Sequence, residues 1–79
     1  MGLLDDMADE IAVAALADEA RSGSETIVAQ IGEVLGASSQ TLQEAYLTAV
    51  RVRRAEKRAK GMLADRLKKH NAEQGKPDA

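Results

Sequence analysis

The amino-acid sequence predicts an all-α fold, on two observations. Apolar residues recur at helical spacing in three segments, and the segments are separated by breaks at Gly23 and Gly36. No segment alternates apolar and polar residues as a half-buried strand does. We therefore expect a single domain of three helices over residues 1–71, with a central helical hairpin and a long basic third helix. A polar, disordered tail is expected at residues 72–79.

The first helix is predicted from about Leu3 to Ala20, with Asp5 and Asp6 near the positive end of its dipole. Its apolar residues fall on two stripes. The first stripe is Leu4, Met7, Ile11 and Ala15, and the second is Val13, Leu16, Ala17 and Ala20. Two stripes on one short helix predict two neighbours, one within the domain and one in a second subunit.

The second helix is predicted from about Glu25 to Leu35, after a capping box spaced from Ser22 to Glu25. The third is predicted to start near Ser39 and to run to about Asn71, with Gly61 inside it. The apolar stripe of the third helix weakens across its basic part and returns near the end. Its members are Leu42, Tyr46, Ala49 and Val50, then Met62, Leu63 and Leu67.

The two central helices are predicted to pack as a hairpin. Ile31 and Leu35 lie four residues apart and share one face, and Gly32 permits a close approach of the second helix. Gly36 is expected to adopt the left-handed conformation that ends a helix, and Ser38 to cap the helix that follows.

The pattern Ile-x-x-x-Leu-Gly-x-Ser-x-x-Thr-Leu, from Ile31 to Leu42, resembles the helix-turn-helix family of DNA-binding proteins. The resemblance implies that the second helix of the motif enters the major groove. Carried over position by position, it implies DNA-facing side chains at Ser38, Ser39, Gln40, Thr41, Gln43 and Glu44. The same residues also fit a plain antiparallel helix pair, and that alternative stays open.

The charge is polarised along the chain. Residues 1–20 carry six acidic and no basic side chains, whereas residues 51–69 carry nine basic and two acidic ones, a local charge of +7. A basic block after a recognition helix is typical of phosphate contact. The phosphate-contact candidates are Arg51, Arg53, Arg54, Lys57 and Arg58. Two alternatives remain: a solvated basic helix, or pairing of this block with the acidic first helix.

The core is predicted to be thin. Hydrophobic residues make up 44% of the chain, but Phe and Trp are absent and Tyr46 is the one aromatic residue. A monomer would be marginally stable, so we expect a homodimer or a higher oligomer. The interface candidates are Ile11, Leu16, Leu63 and Leu67.

Catalysis is not expected, because His70 is the single histidine and no nucleophile or cysteine accompanies it. The same reasoning predicts no cofactor, and the acidic pairs in the first helix offer too few oxygen ligands for a metal. No apolar run is long enough to span a membrane, and a cytoplasmic location is expected.

Three classes of function remain. The first is a small DNA-binding protein, such as a transcriptional regulator or a phage or plasmid accessory factor. The second is a helical module for protein–protein interaction or self-assembly. The third is RNA binding through the basic helix. Glu44 on the implied DNA-facing side counts against the first class. Whether the basic side chains share a face with Gln40 and Gln43 separates the first class from the second.

Overall fold

The computed structural model describes residues 2–73, which form three helices: α1 (Leu3–Ser22), α2 (Ile27–Ser38) and α3 (Gln40–Glu73). The predicted all-α, three-helix fold is confirmed, and residues 2–73 contain no strand. α3 is unbroken at Gly61 and reaches Glu73, the last described residue, two residues beyond the predicted Asn71. Residues 72 and 73 are therefore helical, and the rest of the predicted tail, residues 74–79, lies outside the described residues.

A single residue, Ser39, separates α2 from α3. Its backbone is extended, with φ -155° and ψ 103°, and its amide donates to the carbonyl of Leu35 at 2.7 Å. The Ser39 Oγ accepts a hydrogen bond from the amide of Leu42 at 3.1 Å, so Ser39 is the residue that caps α3. The prediction of a cap at Ser38 is wrong, because Ser38 is the last residue of α2.

The predicted left-handed break at Gly36 is also wrong, because Gly36 lies inside α2. Among the described residues only Gly23 has a positive φ. A Cβ at position 36 would stand 2.5 Å from Nε2 of Gln43. Gly36 therefore makes room for a neighbouring side chain, and Ser39 reverses the chain three residues later.

α2 and α3 run antiparallel. Gln43 Nε2 donates to the carbonyl of Gly32 at 2.9 Å, and the hydroxyl of Tyr46 donates to the carbonyl of Val28 at 2.8 Å. The residue of α3 that lies farther after Ser39 contacts the residue of α2 that lies farther before it, as in an αα-hairpin. Gly32 packs against Tyr46, but a Cβ built there would lie 3.6 Å from the ring, an ordinary contact distance, so the approach does not require a glycine.

α1 packs across this hairpin and contacts both of its helices, as predicted. Its buried residues are Ala8, Ala12 and Ala15, which form the core with Val28, Tyr46 and Val50. The predicted stripes are divided: Ile11, Ala15 and Leu16 lie in or against this core, whereas the large side chains of Leu4, Met7 and Val13 are exposed. Three alanines, two of them in neither predicted stripe, form the buried part of α1.

The connection between α1 and α2 differs from the predicted capping box. α1 ends at Ser22, and Gly23 follows with a left-handed φ of 74°. The Ser22 Oγ donates to the carbonyl of Asp18 at 2.7 Å and accepts from the amide of Ser24 at 3.2 Å. α2 begins only at Ile27, because the serine side chains hold the intervening residues in a bend.

α3 is much longer than the helices that it packs against. Its 34 residues span about 51 Å at 1.5 Å per residue. Every residue from Arg51 to His70 is exposed, which confirms the prediction for the basic stretch. Within residues 2–73, no hydrogen bond or ion pair joins α3 to α1 or α2 beyond Arg54. We call residues 55–73 the distal helix.

Candidate functional site

Two of the predicted phosphate-contact residues form ion pairs with acidic side chains of α1. Arg53 makes a two-pronged contact with Asp9, from Nε to Oδ1 at 2.9 Å and from Nη2 to Oδ2 at 2.6 Å. Arg54 Nη2 donates to Glu19 Oε2 at 2.9 Å. Asp9 and Glu19 are ten residues, or about 15 Å, apart in α1. Two adjacent arginines of α3 contact these two acidic residues. Helices that lay side by side would pair them with arginines about ten residues apart, so α1 crosses α3 at a steep angle.

The hydrogen bond from Arg53 holds the pKa of Asp9 below its usual range. The same bond raises the pKa of the Arg53 guanidinium. Both side chains are 42% exposed, and solvent screens the pair, so its contribution to stability is small. The acidic first helix does pair with the basic third helix at these two positions.

The remaining basic candidates lie on two sides of α3. Arg51 and Arg58 are seven residues apart, and Gln40 precedes Arg51 by eleven, so helical periodicity places these three exposed residues on one face. We call them the basic face. Lys57 lies further round the helix toward α1, and with Arg58 it lines a shallow groove beside Glu19.

The predicted base-contact residues are divided as well. The amide of Gln43 bonds to the backbone of α2, and the hydroxyl of Ser39 caps α3. Both side chains therefore hold the hairpin together. The other four predicted residues are exposed at the hairpin apex and the start of α3: Ser38, Gln40, Thr41 and Glu44.

The predicted dimer-interface residues also separate into two kinds. Ile11 and Leu16 are half-buried and pack against the core of their own chain. Leu63 and Leu67, in contrast, are 66% and 61% exposed. The pair in α3 is thus much more exposed, whereas Ile11 keeps part of its side chain at the surface in a groove with Ile27 and Ile31.

A longer apolar stripe, which sequence reasoning missed, contains these two leucines. It follows one face of α3 at intervals of three or four residues, the spacing that supports helix–helix pairing. We call it the seam, and its members are Ala45, Ala49, Val52, Glu56, Ala59, Leu63 and Leu67. The spacing was visible in the sequence, but Ala49 had been grouped with the buried stripe of Tyr46.

The first part of the seam forms the floor of a groove beside the start of α1. The groove has a volume of about 550 Å³, and its floor is made by Ala45, Ala49 and Val52. Carboxylates dominate its rim, which comprises Asp5, Asp6, Asp9 and Glu56 together with Thr48 and Arg53. Small side chains below and acids above make this groove suited to a basic amphipathic helix.

A scan of protein-family models, a search of curated proteins and a search of solved structures each returned no match to this chain. No helix within residues 2–73 combines the length and the apolar character needed to cross a bilayer. In the same part of the chain, no three histidine or acidic side chains lie close enough together to hold a metal ion.

Proposed function

We propose that this chain is a non-enzymatic self-association module that pairs through the seam of α3. The observation that carries the proposal is the distal helix, which projects from the packed body with Leu63 and Leu67 exposed. Helices without tertiary contacts are only marginally stable in water. A second helix packed on the seam would bury both leucines and would stabilise the segment.

The contacts of the basic residues favour association over DNA binding. Arg53 and Arg54 would have to leave Asp9 and Glu19 to reach phosphates. Gln43 would have to leave the backbone of α2 to reach a base. Breaking each of these contacts costs free energy. A recognition helix whose DNA-contacting side chains are already free would not have that cost.

Sedimentation of the chain with two matched variants tests the proposal. Leu63→Asp places a charge in the seam. Met62→Asp places the same charge on the preceding residue, which is 68% exposed and lies about 100° away around the helix. We expect the unmodified chain and Met62→Asp to associate. Leu63→Asp should sediment as a monomer of 8.4 kDa, because the new carboxylate would be buried without a partner.

Circular dichroism checks that both variants keep their helices, and both replacements lower helix propensity to a similar extent. A monomeric unmodified chain at high micromolar concentration would contradict self-association. Equal weakening by the two variants would contradict pairing through the seam.

DNA binding through the basic face is a second proposal, supported by the shared exposure of Gln40, Arg51 and Arg58. Binding to duplex DNA over a salt series tests it, with duplex RNA in parallel. Arg51→Ala and Arg58→Ala should each reduce the slope of log affinity against log salt by about one. Gln40→Ala should instead alter sequence preference. No binding to either duplex at low ionic strength would refute this proposal.

A further inference from the structure

We infer that the groove beside α1 receives residues 59–67 of a second copy of this chain, with the two α3 helices antiparallel and related by a two-fold axis at Glu56. This inference rests on the self-association proposed above and names the surfaces that meet. In an isologous pair each groove is filled by the other copy, so every contact occurs twice.

The order of large and small residues along the seam supports this register. Reversing α3 about Glu56 brings Leu67 opposite Ala45 and Leu63 opposite Ala49. The protruding leucines of one copy thus meet the alanine floor of the other, and large residues facing small ones is what close helix packing requires. The seam from Ala45 to Leu67 would be in contact over about 33 Å.

A parallel arrangement lacks this match. It would set Leu67 against Leu67 and would leave Ala45 facing Ala45, so that the groove of each copy stayed unfilled. Charge does not separate the two arrangements, because basic residues 51–61 of the two copies also face one another in the antiparallel pair. That pair sets Glu56 against Glu56 on the axis, and each of these carboxylates lies 3.3 Å from Lys60 of its own chain.

Charge complementarity supports the same occupant. Lys60 and Arg66 lie three residues before and after Leu63, one on each side of the seam. When Leu63 enters the groove of the other copy, these two cations approach a rim that includes Asp5, Asp6 and Asp9. Lys60 is exposed and contacts Glu56 of its own chain at 3.3 Å, a pair that solvent keeps weak and exchangeable.

The start of α1 adds apolar surface at the same place. Leu3, Leu4 and Met7 are exposed next to the acidic residues that form the rim. The described chain offers them no partner in the core, whereas a helix lying in the groove would cover part of them. An occupant that carries both apolar side chains and cations fits this surface, and the distal helix carries both.

Disulfide cross-linking tests the register, and the chain has no cysteine of its own to interfere. Glu56→Cys lies on the two-fold axis and should form a covalent dimer with itself under mild oxidation. Leu67→Cys alone should not, because antiparallel pairing holds the two ends of α3 far apart. A mixture of Ala45→Cys and Leu67→Cys chains should yield the mixed disulfide.

A matched charge reversal tests the acidic rim. Arg66→Glu should weaken association several-fold at low salt, and the deficit should shrink as salt rises. Lys68→Glu makes the same charge change two residues further on, away from the seam, and should have little effect. An equal loss in both variants would contradict the contact with the rim.

The cross-linking and sedimentation results together distinguish a failure of the antiparallel register from a failure of self-association. Self-linking of Leu67→Cys without self-linking of Glu56→Cys would mean a parallel dimer, which overturns the inference and leaves self-association standing. An unmodified chain that sediments as a monomer would overturn both. Cross-links at Glu56 and between positions 45 and 67 would establish the antiparallel register.

Discussion

The hydroxyl of Tyr46 donates a 2.8 Å hydrogen bond to the backbone carbonyl of Val28, which ties α3 to α2 near the far end of their hairpin. Tyr46 is the one aromatic residue of the chain and is fully buried, with 0% of its surface exposed. The ring packs against Gly32, one turn along α2 from that carbonyl, so packing and the hydrogen bond support the same register of the hairpin.

Tyr46→Phe should lower the free energy of unfolding by about 1 kcal/mol, the usual worth of one neutral hydrogen bond. The ring keeps its packing, and the carbonyl of Val28 can still accept within α2, so a larger loss is not expected. Urea unfolding followed by circular dichroism measures the change. A variant as stable as the unmodified chain would show that ring packing alone holds the hairpin.

The same residue should make stability fall in alkali. Burial raises the pKa of Tyr46, against a smaller lowering effect of Arg54. The folded chain thus favours the neutral phenol, and this stability is fully present below the unfolded pKa of about 10. It is lost as the pH rises through the folded pKa. Tyrosinate absorbance follows the titration, and Tyr46→Phe should remove this part of the alkaline loss.

Alanine replacements at two helical glycines should differ in their effect on stability. Gly32→Ala should stabilise the chain by up to about 1 kcal/mol, because its Cβ would meet Tyr46 at 3.6 Å, an ordinary contact. Gly36→Ala has the same gain in helix propensity, but its Cβ would displace the Gln43 amide from the carbonyl of Gly32, so it should stabilise the chain less. Paired thermal melts compare the two, and an equal gain from Gly36→Ala would contradict the close contact with Gln43.

Two adjacent serines offer a test of where α3 is capped. Ser39→Ala should cost about 1 kcal/mol, because it removes the oxygen that accepts from the amide of Leu42. Ser38→Ala, at the last residue of α2, should be nearly neutral. Denaturant unfolding of both variants gives the comparison. The reverse order would restore Ser38 as the cap that the helix-turn-helix resemblance predicts.

The contact between Arg53 and Asp9 predicts a small dependence of stability on acid pH. The folded pKa of Asp9 is lowered, so its contribution is present above the unfolded pKa of about 3.9 and is lost as the pH falls through the folded value. Asp9→Asn should therefore flatten the acid side of the stability profile. Asp5→Asn, four residues earlier, is the control, and thermal melts across acid pH provide the measurement.

Periodicity was enough to predict the number of helices and the exposure of the basic stretch, because both follow from where apolar residues are placed. It failed at Gly36, since the sequence does not show that the side chain of Gln43 needs the space beside that residue. It failed again in α1, where Ala8, Ala12 and Ala15 are buried and larger neighbours are not. How closely two helices approach depends on tertiary packing, and one-dimensional spacing does not report it.

The ion pairs of α1 were foreseen only as an alternative. Charge counts along the chain showed that acids and bases were separated, but not that Asp9 and Glu19 would reach neighbouring arginines. That outcome requires the steep crossing of α1 over α3. The seam, by contrast, needed no coordinates, because its intervals of three and four residues are present in the sequence from Ala45 to Leu67.

Because the distal helix projects from the packed body, the two parts of α3 should unfold differently: the first part with the whole domain, the second part by itself. Up to Val50, unwinding a turn of α3 would break the core around Tyr46, so this part opens only when the domain unfolds. Beyond Arg54, unwinding breaks backbone hydrogen bonds and the pair between Glu56 and Lys60, but no hydrogen bond or ion pair to α1 or α2 within the described residues. The carboxyl end of α3 should thus fray independently in dilute solution, and its helical length becomes a property of protein concentration rather than of sequence alone.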